Sequence, residues 1–93
     1  MTAGGRWRWE KATVRGVRYY EVRIDRDLWG QWVLLQRWGR RGTALGQTRR
    51  RPYDAYPAAR SQLEKINQRR LQRGYHPVSS HRPDQQEGNL WRP

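Results

Sequence analysis

The 93-residue sequence predicts an α+β domain: an antiparallel β-sheet meander of about four strands, one C-terminal α-helix packed on it, and then a disordered tail. Three observations carry this reading. Through the first half of the chain, apolar and aromatic residues alternate with polar ones at the period of a strand. After Asp54 the period lengthens to that of a helix. From Pro77 to Pro93 neither period persists. The domain is expected over residues 6–76, preceded by a flexible start over residues 1–5 and followed by the tail over residues 77–93.

The first strand is "RWRWEKATV". Trp7 and Trp9 fall on one side, with Arg6, Arg8 and Glu10 on the other, as in a half-exposed strand. Gly16 marks a turn. "VRYYEVRIDRD" follows, with Tyr20, Val22 and Ile24 on one face and Tyr19, Glu21, Arg23 and Asp25 on the other. Asp27 and Gly30 flank a hairpin turn into "QWVLLQRW". Its central "WVLL" carries no polar interruption, which points to burial from both sides. "GRRGTALGQT" reads as a loop, with Gly39, Gly42 and Gly46 free to take backbone conformations other residues avoid. Gln47 to Tyr53 makes a fourth strand, ended by Pro52.

The helix is predicted over residues 55–73. Asp54 is placed to cap its N-terminus and Pro57 to sit in its first turn. Ala59, Leu63 and Ile66 share one helical face, and Gly74 follows Arg73 as a C-terminal stop. "PVSSHRPDQQEGNLWRP", with its prolines and polar residues, reads as disordered, although Trp91 near its end is unusual for such a segment.

Charge narrows the function. Lys and Arg number 20 against 8 acids, a net charge of +12, and all the cations except Lys11 and Lys65 are arginine. Arginine matches phosphate with a planar fork and stacks on rings. A domain this basic points to a polyanion, most often nucleic acid; a merely solubilising surface is the plain alternative. Residues 28–53 hold six arginines and no acid, interleaved with Trp38 and Tyr53. Phosphate contact combined with ring stacking requires that combination. Trp38 fits either a contact or a core position. Arg60, Arg69, Arg70 and Arg73 fit a solvated helix face unless that face lies beside the glycine loop.

Other classes have little support. With no cysteine there is no disulfide, thiolate metal site or cysteine nucleophile, and neither metal nor cofactor is expected. His76 and His81 are the only histidines and lie at or beyond the domain's end, while the acids are scattered, so no catalytic pair is evident. No glycine-rich phosphate loop precedes a helix. An enzyme acting on a small-molecule substrate is therefore not expected. No apolar run approaches the roughly 20 residues of a membrane span, and no signal-peptide apolar region opens the chain. A cytoplasmic location, compatible with nucleoid association, is the expectation.

"RYYEVRI", "WVLLQRWGRRGT", "GQT", "RRPYDAY" and "QRRLQRGY" together resemble the WGR domain, named for the motif that stands here as Trp38-Gly39-Arg40. The resemblance spans about residues 17–76 and is similar to that of small bacterial proteins that are little more than one such domain. It implies an antiparallel sheet with one helix on a face. It also implies the non-catalytic role that this domain has in DNA-damage-responsive poly(ADP-ribose) polymerases, which is binding DNA near strand ends and breaks and touching neighbouring domains. Carried over, Trp38 packs on a terminal sugar or base, Arg40 contacts phosphate or a partner, and Gly39 provides the close turn between them. The chain departs from the family where Arg41 replaces an aliphatic residue, Val17 an asparagine and Arg70 a lysine. These departures bear on DNA-end specificity more than on the fold. The nucleic-acid-binding residues expected are Arg37, Trp38, Gly39, Arg40, Arg41, Gln47, Arg49, Arg51 and Tyr53. DNA at ends or breaks is the expected partner, with RNA or a protein partner as alternatives.

Overall fold

The computed structural model describes residues 3–43 and 46–81. Four strands, β1 (Ala3–Thr13), β2 (Gly16–Arg26), β3 (Trp32–Arg40) and β4 (Gly46–Tyr53), precede helix α1 (Tyr56–Gln72), and β5 (His76–His81) follows it. They form one five-stranded sheet in the order β4-β3-β2-β1-β5, with every neighbouring pair antiparallel. The meander expected from the alternation is present. The helix leaves one edge of the sheet at β4 and delivers the chain to the other edge at β5.

The core forms where the two periods meet. Trp7, Trp9, Val22, Ile24 and Leu34 line one face of the sheet and pack against Ala59, Leu63 and Ile66 of α1. Trp7, Trp9, Ile24, Leu34 and Leu63 are each at most 1% exposed. The indole N–H of Trp9 donates to Asn67 Oδ1 at 3.0 Å, tying β1 to the helix. The helix has no side-chain cap: its N-cap is Ala55. A missing cap costs about 1 kcal/mol, whereas burying a side chain such as Leu63 or Ile66 contributes about 1.5–3 kcal/mol. Packing, not capping, therefore holds this helix. At the other end, Gly74 at φ 88 closes a Schellman turn: Gly74 N–H donates to Leu71 O and Tyr75 N–H to Arg70 O. Lys11 donates to Arg73 O at 2.7 Å and anchors that terminus to β1.

The structure corrects four expectations. Asp54 does not cap the helix, because the chain enters one residue later and Tyr56 is held by its hydroxyl, which donates to Gly4 O at 3.0 Å. Residues 3–5, read as a loose start, belong to β1, where a bulge between Ala3 and Gly5 lets the strand pass beneath Tyr56. Gly39 is not a turn residue; it lies within β3, opposite Tyr19 on β2 and Gly46 on β4. The turn comes later, with Gly42 at φ 83. Finally, residues 77–81, read as the start of a disordered tail, pair with β1 as an edge strand. Proline is tolerated on an edge, where its missing N–H breaks no inner ladder. The rest of that tail, Trp91 included, lies outside the described residues.

The hairpin turns follow local chemistry. Asp27 Oδ1 accepts from the backbone N–H groups of Trp29 and Gln31, both at 2.9 Å, so the turn closes on its own side chain. At its tip Leu28 and Trp29 are 85% and 82% exposed.

Candidate nucleic-acid interface

Strand alternation sorts the arginines by face. In the β2–β3–β4 register, Tyr20 lies opposite Trp38 and Trp38 opposite Gln47, while Gln36 lies opposite Arg49 and Leu34 opposite Arg51. These residues share the face on which α1 sits. The helix covers that face only over the core, and the uncovered part forms a continuous groove of three hollows, about 520, 480 and 370 Å³. Lys11, Arg18, Arg40, Arg49 and Arg51 reach the groove from the sheet, and Lys65, Arg69, Arg70 and Arg73 reach it from the helix and its C-terminal end. Among the described residues no carboxylate lines it. None of these nine side chains enters an ion pair among those found within 4.0 Å.

Aromatic rings brace the groove. Trp38 is half-buried, with its indole stacked on Tyr20 at a centroid distance of 5.6 Å and 13° off parallel. Trp9 meets the Tyr20 ring edge-on at 6.2 Å. The Arg70 guanidinium lies 4.3 Å from the Tyr20 ring centroid and 5.0 Å from that of Tyr75, so it spans from helix to sheet over an aromatic bed. Trp38 therefore serves both readings: one set of contacts packs it onto Tyr20, and it also lines the groove beside Arg18, Arg40 and Gln47.

The opposite sheet face is built differently. Arg8 donates to Glu10 at 3.0 Å and to Glu21 at 2.7 Å, Arg41 pairs with Glu10 at 3.1 Å, and Arg37 approaches Glu21 at 4.0 Å. Arg23 pairs with Asp25 at 3.1 Å and Arg50 with Asp27 at 3.8 Å. Burial alone would lower the Arg8 pKa, but its hydrogen bonds to Glu21 and Glu10 outweigh this and raise it above the ordinary arginine value. These acids compensate the cations of their own face and leave those of the groove uncompensated.

Of the residues expected from sequence, Trp38, Gly39, Arg40, Gln47, Arg49 and Arg51 come together along the groove. Arg37 and Arg41 turn to the acidic network on the other face. Tyr53 lies opposite Trp32, packed against the core. It is roughly 20 Å along β4 from Gln47, at about 3.3 Å per residue. The sequence reading missed Arg18, Tyr20, Gln36 and Lys65 as site residues and left the helix arginines open. A signal existed for the helix: Arg70 and Arg73 continue the face of Ala59, Leu63 and Ile66 at helical spacing. Where that face runs past the core, its apolar residues give way to arginine.

Among the described residues no cluster of three His, Cys, Asp or Glu side chains is placed to hold a metal. No helix among them is long and apolar enough to cross a membrane. Compared with known proteins, residues 10–82 match the family model described as the WGR domain. No curated protein and no solved structure gives a significant match.

Proposed function

Because this chain belongs to the WGR domain family, we propose that it binds DNA near strand ends or breaks through the helix-side groove. The family is one of non-catalytic, nucleic-acid-binding modules in proteins like the poly(ADP-ribose) polymerases. One observation of this chain carries the reading furthest: arginines and two lysines from β1, β2, β3, β4 and α1 converge on one groove with no carboxylate among its described lining residues. Such a groove tracks a phosphate backbone and releases condensed counterions when it binds. Trp38 offers a flat surface to a terminal sugar or base, and Arg18 and Arg40 flank it to hold phosphate. A strand terminus presents a phosphate and an exposed ring in the same place. Binding by this route needs no catalytic residue and no cofactor.

The test is a competition. A 5′-phosphorylated blunt hairpin is titrated by fluorescence anisotropy, and a covalently closed dumbbell of the same sequence serves as competitor. End binding predicts that the dumbbell competes poorly. Equal competition makes the protein a general polyanion binder. A second reading, a protein-interaction adaptor, rests on the exposed Leu28 and Trp29 at the β2–β3 turn. Exposed tryptophans are frequent anchors of protein interfaces.

A further inference from the structure

We propose that the hollow of the groove between α1 and strands β3 and β4 holds a single unpaired nucleotide, with its base edge on Gln36 and its phosphate among the surrounding cations. This rests on the nucleic-acid-binding reading and adds to it a specific pocket and the state of the nucleotide that fills it.

Gln36 is 5% exposed and is the buried polar residue of the described chain. Its Nε2 donates to the Tyr20 hydroxyl, but its Oε1 has no hydrogen-bond partner. Buried polar groups are nearly always paired, so an unpaired one calls for an explanation. Gln36 lines both of the larger hollows, which meet at Tyr20, Gln36, Arg49 and Arg70. The Nε of Arg70 is likewise buried without a partner. The larger hollow, about 520 Å³, falls within the usual range for small-molecule sites of roughly 300–1,000 Å³.

The chemistry of the donor set narrows the occupant. Arg49, Arg51, Lys65, Arg69 and Arg70 surround the hollow and demand negative charge. Gln36 Oε1 calls for a hydrogen-bond donor, such as the N–H of a base edge. A backbone phosphodiester meets the first demand and offers only acceptors to the second. A nucleotide meets both, because its phosphate is anionic and its base edge carries N–H groups. The amide can also be turned, so that Tyr20 donates to Oε1 and the N–H₂ points away. A base edge satisfies that orientation as well, since it carries acceptors beside its donors. In a closed duplex the Watson–Crick edges are paired and every base is held in the stack, so only an unpaired base can leave it and enter a hollow between helix and sheet. The Arg70 guanidinium, held on the Tyr20 and Tyr75 rings, fixes a cation at the mouth of the hollow where the nucleotide's phosphate would sit.

Three phosphorylated hairpins distinguish the outcomes by fluorescence anisotropy: a blunt one, one with a single unpaired adenosine, and one with an abasic nucleotide in its place. Both overhang polarities are made. The unpaired base is expected to tighten binding over the abasic overhang by roughly fivefold, the worth of about one hydrogen bond. In Gln36→Leu, which keeps the side-chain bulk, that ratio is expected to fall close to one. The wild-type comparison stands even if the variant folds poorly. Equal affinity for the two overhangs, with the blunt hairpin still bound, overturns the pocket and leaves the DNA reading in place. If no hairpin binds, the DNA reading falls, and titration with free dAMP decides the pocket. Binding of dAMP that Gln36→Leu abolishes retains it as a site for a free nucleotide. No binding of dAMP overturns it too.

Discussion

The Trp38 indole lies nearly parallel to the Tyr20 ring, 13° apart, with centroids 5.6 Å from each other. The motif tryptophan is thus seated on the core through Tyr20, which itself contacts Trp9 and Arg70. Trp38→Ala removes one stacked pair and half-buried area, so a stability loss of about 1–2 kcal/mol is expected. The loss of a stacking platform should weaken DNA binding by about 1–3 kcal/mol. Urea denaturation and anisotropy titration measure the two effects separately. Unchanged affinity would remove Trp38 from the interface and leave it a packing residue.

Gly74 at φ 88 is required by the Schellman turn that ends α1. A side chain there is strained, and Gly74→Ala should cost about 1–2 kcal/mol. In a domain of this size that corresponds to a fall in Tm of roughly 4–8 °C per kcal/mol. Because the turn places Tyr75 against Arg70, the variant should also weaken DNA binding. A Tm equal to wild type would show that the turn relaxes without strain.

A methyl group on Gly4 would meet Ile24 Cγ2 at 2.7 Å and Tyr56 Cε1 at 2.8 Å. Gly4→Ala must push aside Ile24, whose backbone oxygen would also lie 2.9 Å away, and Tyr56, at a cost of about 1–3 kcal/mol as for overpacking. Thermal denaturation with no loss of stability would mean that the start of β1 frays in solution.

Strand β5 covers the edge of β1 beside Trp7 and Trp9, with Ser80 opposite Trp7 and Pro77 opposite Trp9. A chain ending at Tyr75 leaves that edge open. It should melt at lower temperature than the full chain and self-associate more readily, as open strand edges do. Sedimentation velocity and thermal melts check both. A truncated chain as stable and monomeric as the full one would contradict the role of β5.

Much of the fold was legible because alternation in "YEVRI" and the spacing of Ala59, Leu63 and Ile66 are direct consequences of strand and helix geometry. Burial of both central strands and of the two N-terminal tryptophans follows the same logic. Strand β5 escaped notice because its apolar content is low and its proline signals disorder, while its stability comes from pairing with a partner more than sixty residues away in the chain. The candidate site was half legible. Six arginines without an acid between residues 28 and 53 form one block in sequence, but a strand sends neighbouring residues to opposite faces. Arg49 and Arg51 therefore enter the groove, while Arg50 turns to Asp27 and Arg37 to Glu21. Arg18 lies two residues from Tyr20 on the same face and was recoverable from that parity. The gathering of β2, β4 and α1 around Gln36 depends on sheet order and on where the helix crosses it, which no local pattern encodes.

The central claim is that DNA is held by the groove-side cations and not by the arginines of the opposite face. The most direct test is the salt dependence of affinity for a blunt phosphorylated hairpin, measured in wild type and two double variants. Arg49→Ala/Arg51→Ala removes groove cations, and Arg37→Ala/Arg50→Ala removes the same charge from the acid-bearing face. Each lost phosphate contact should flatten the slope of log affinity against log salt by about 0.9. The account predicts a flattening approaching two contacts for the first variant and little change for the second. Equal flattening in both, or a larger effect from Arg37 and Arg50, would contradict it.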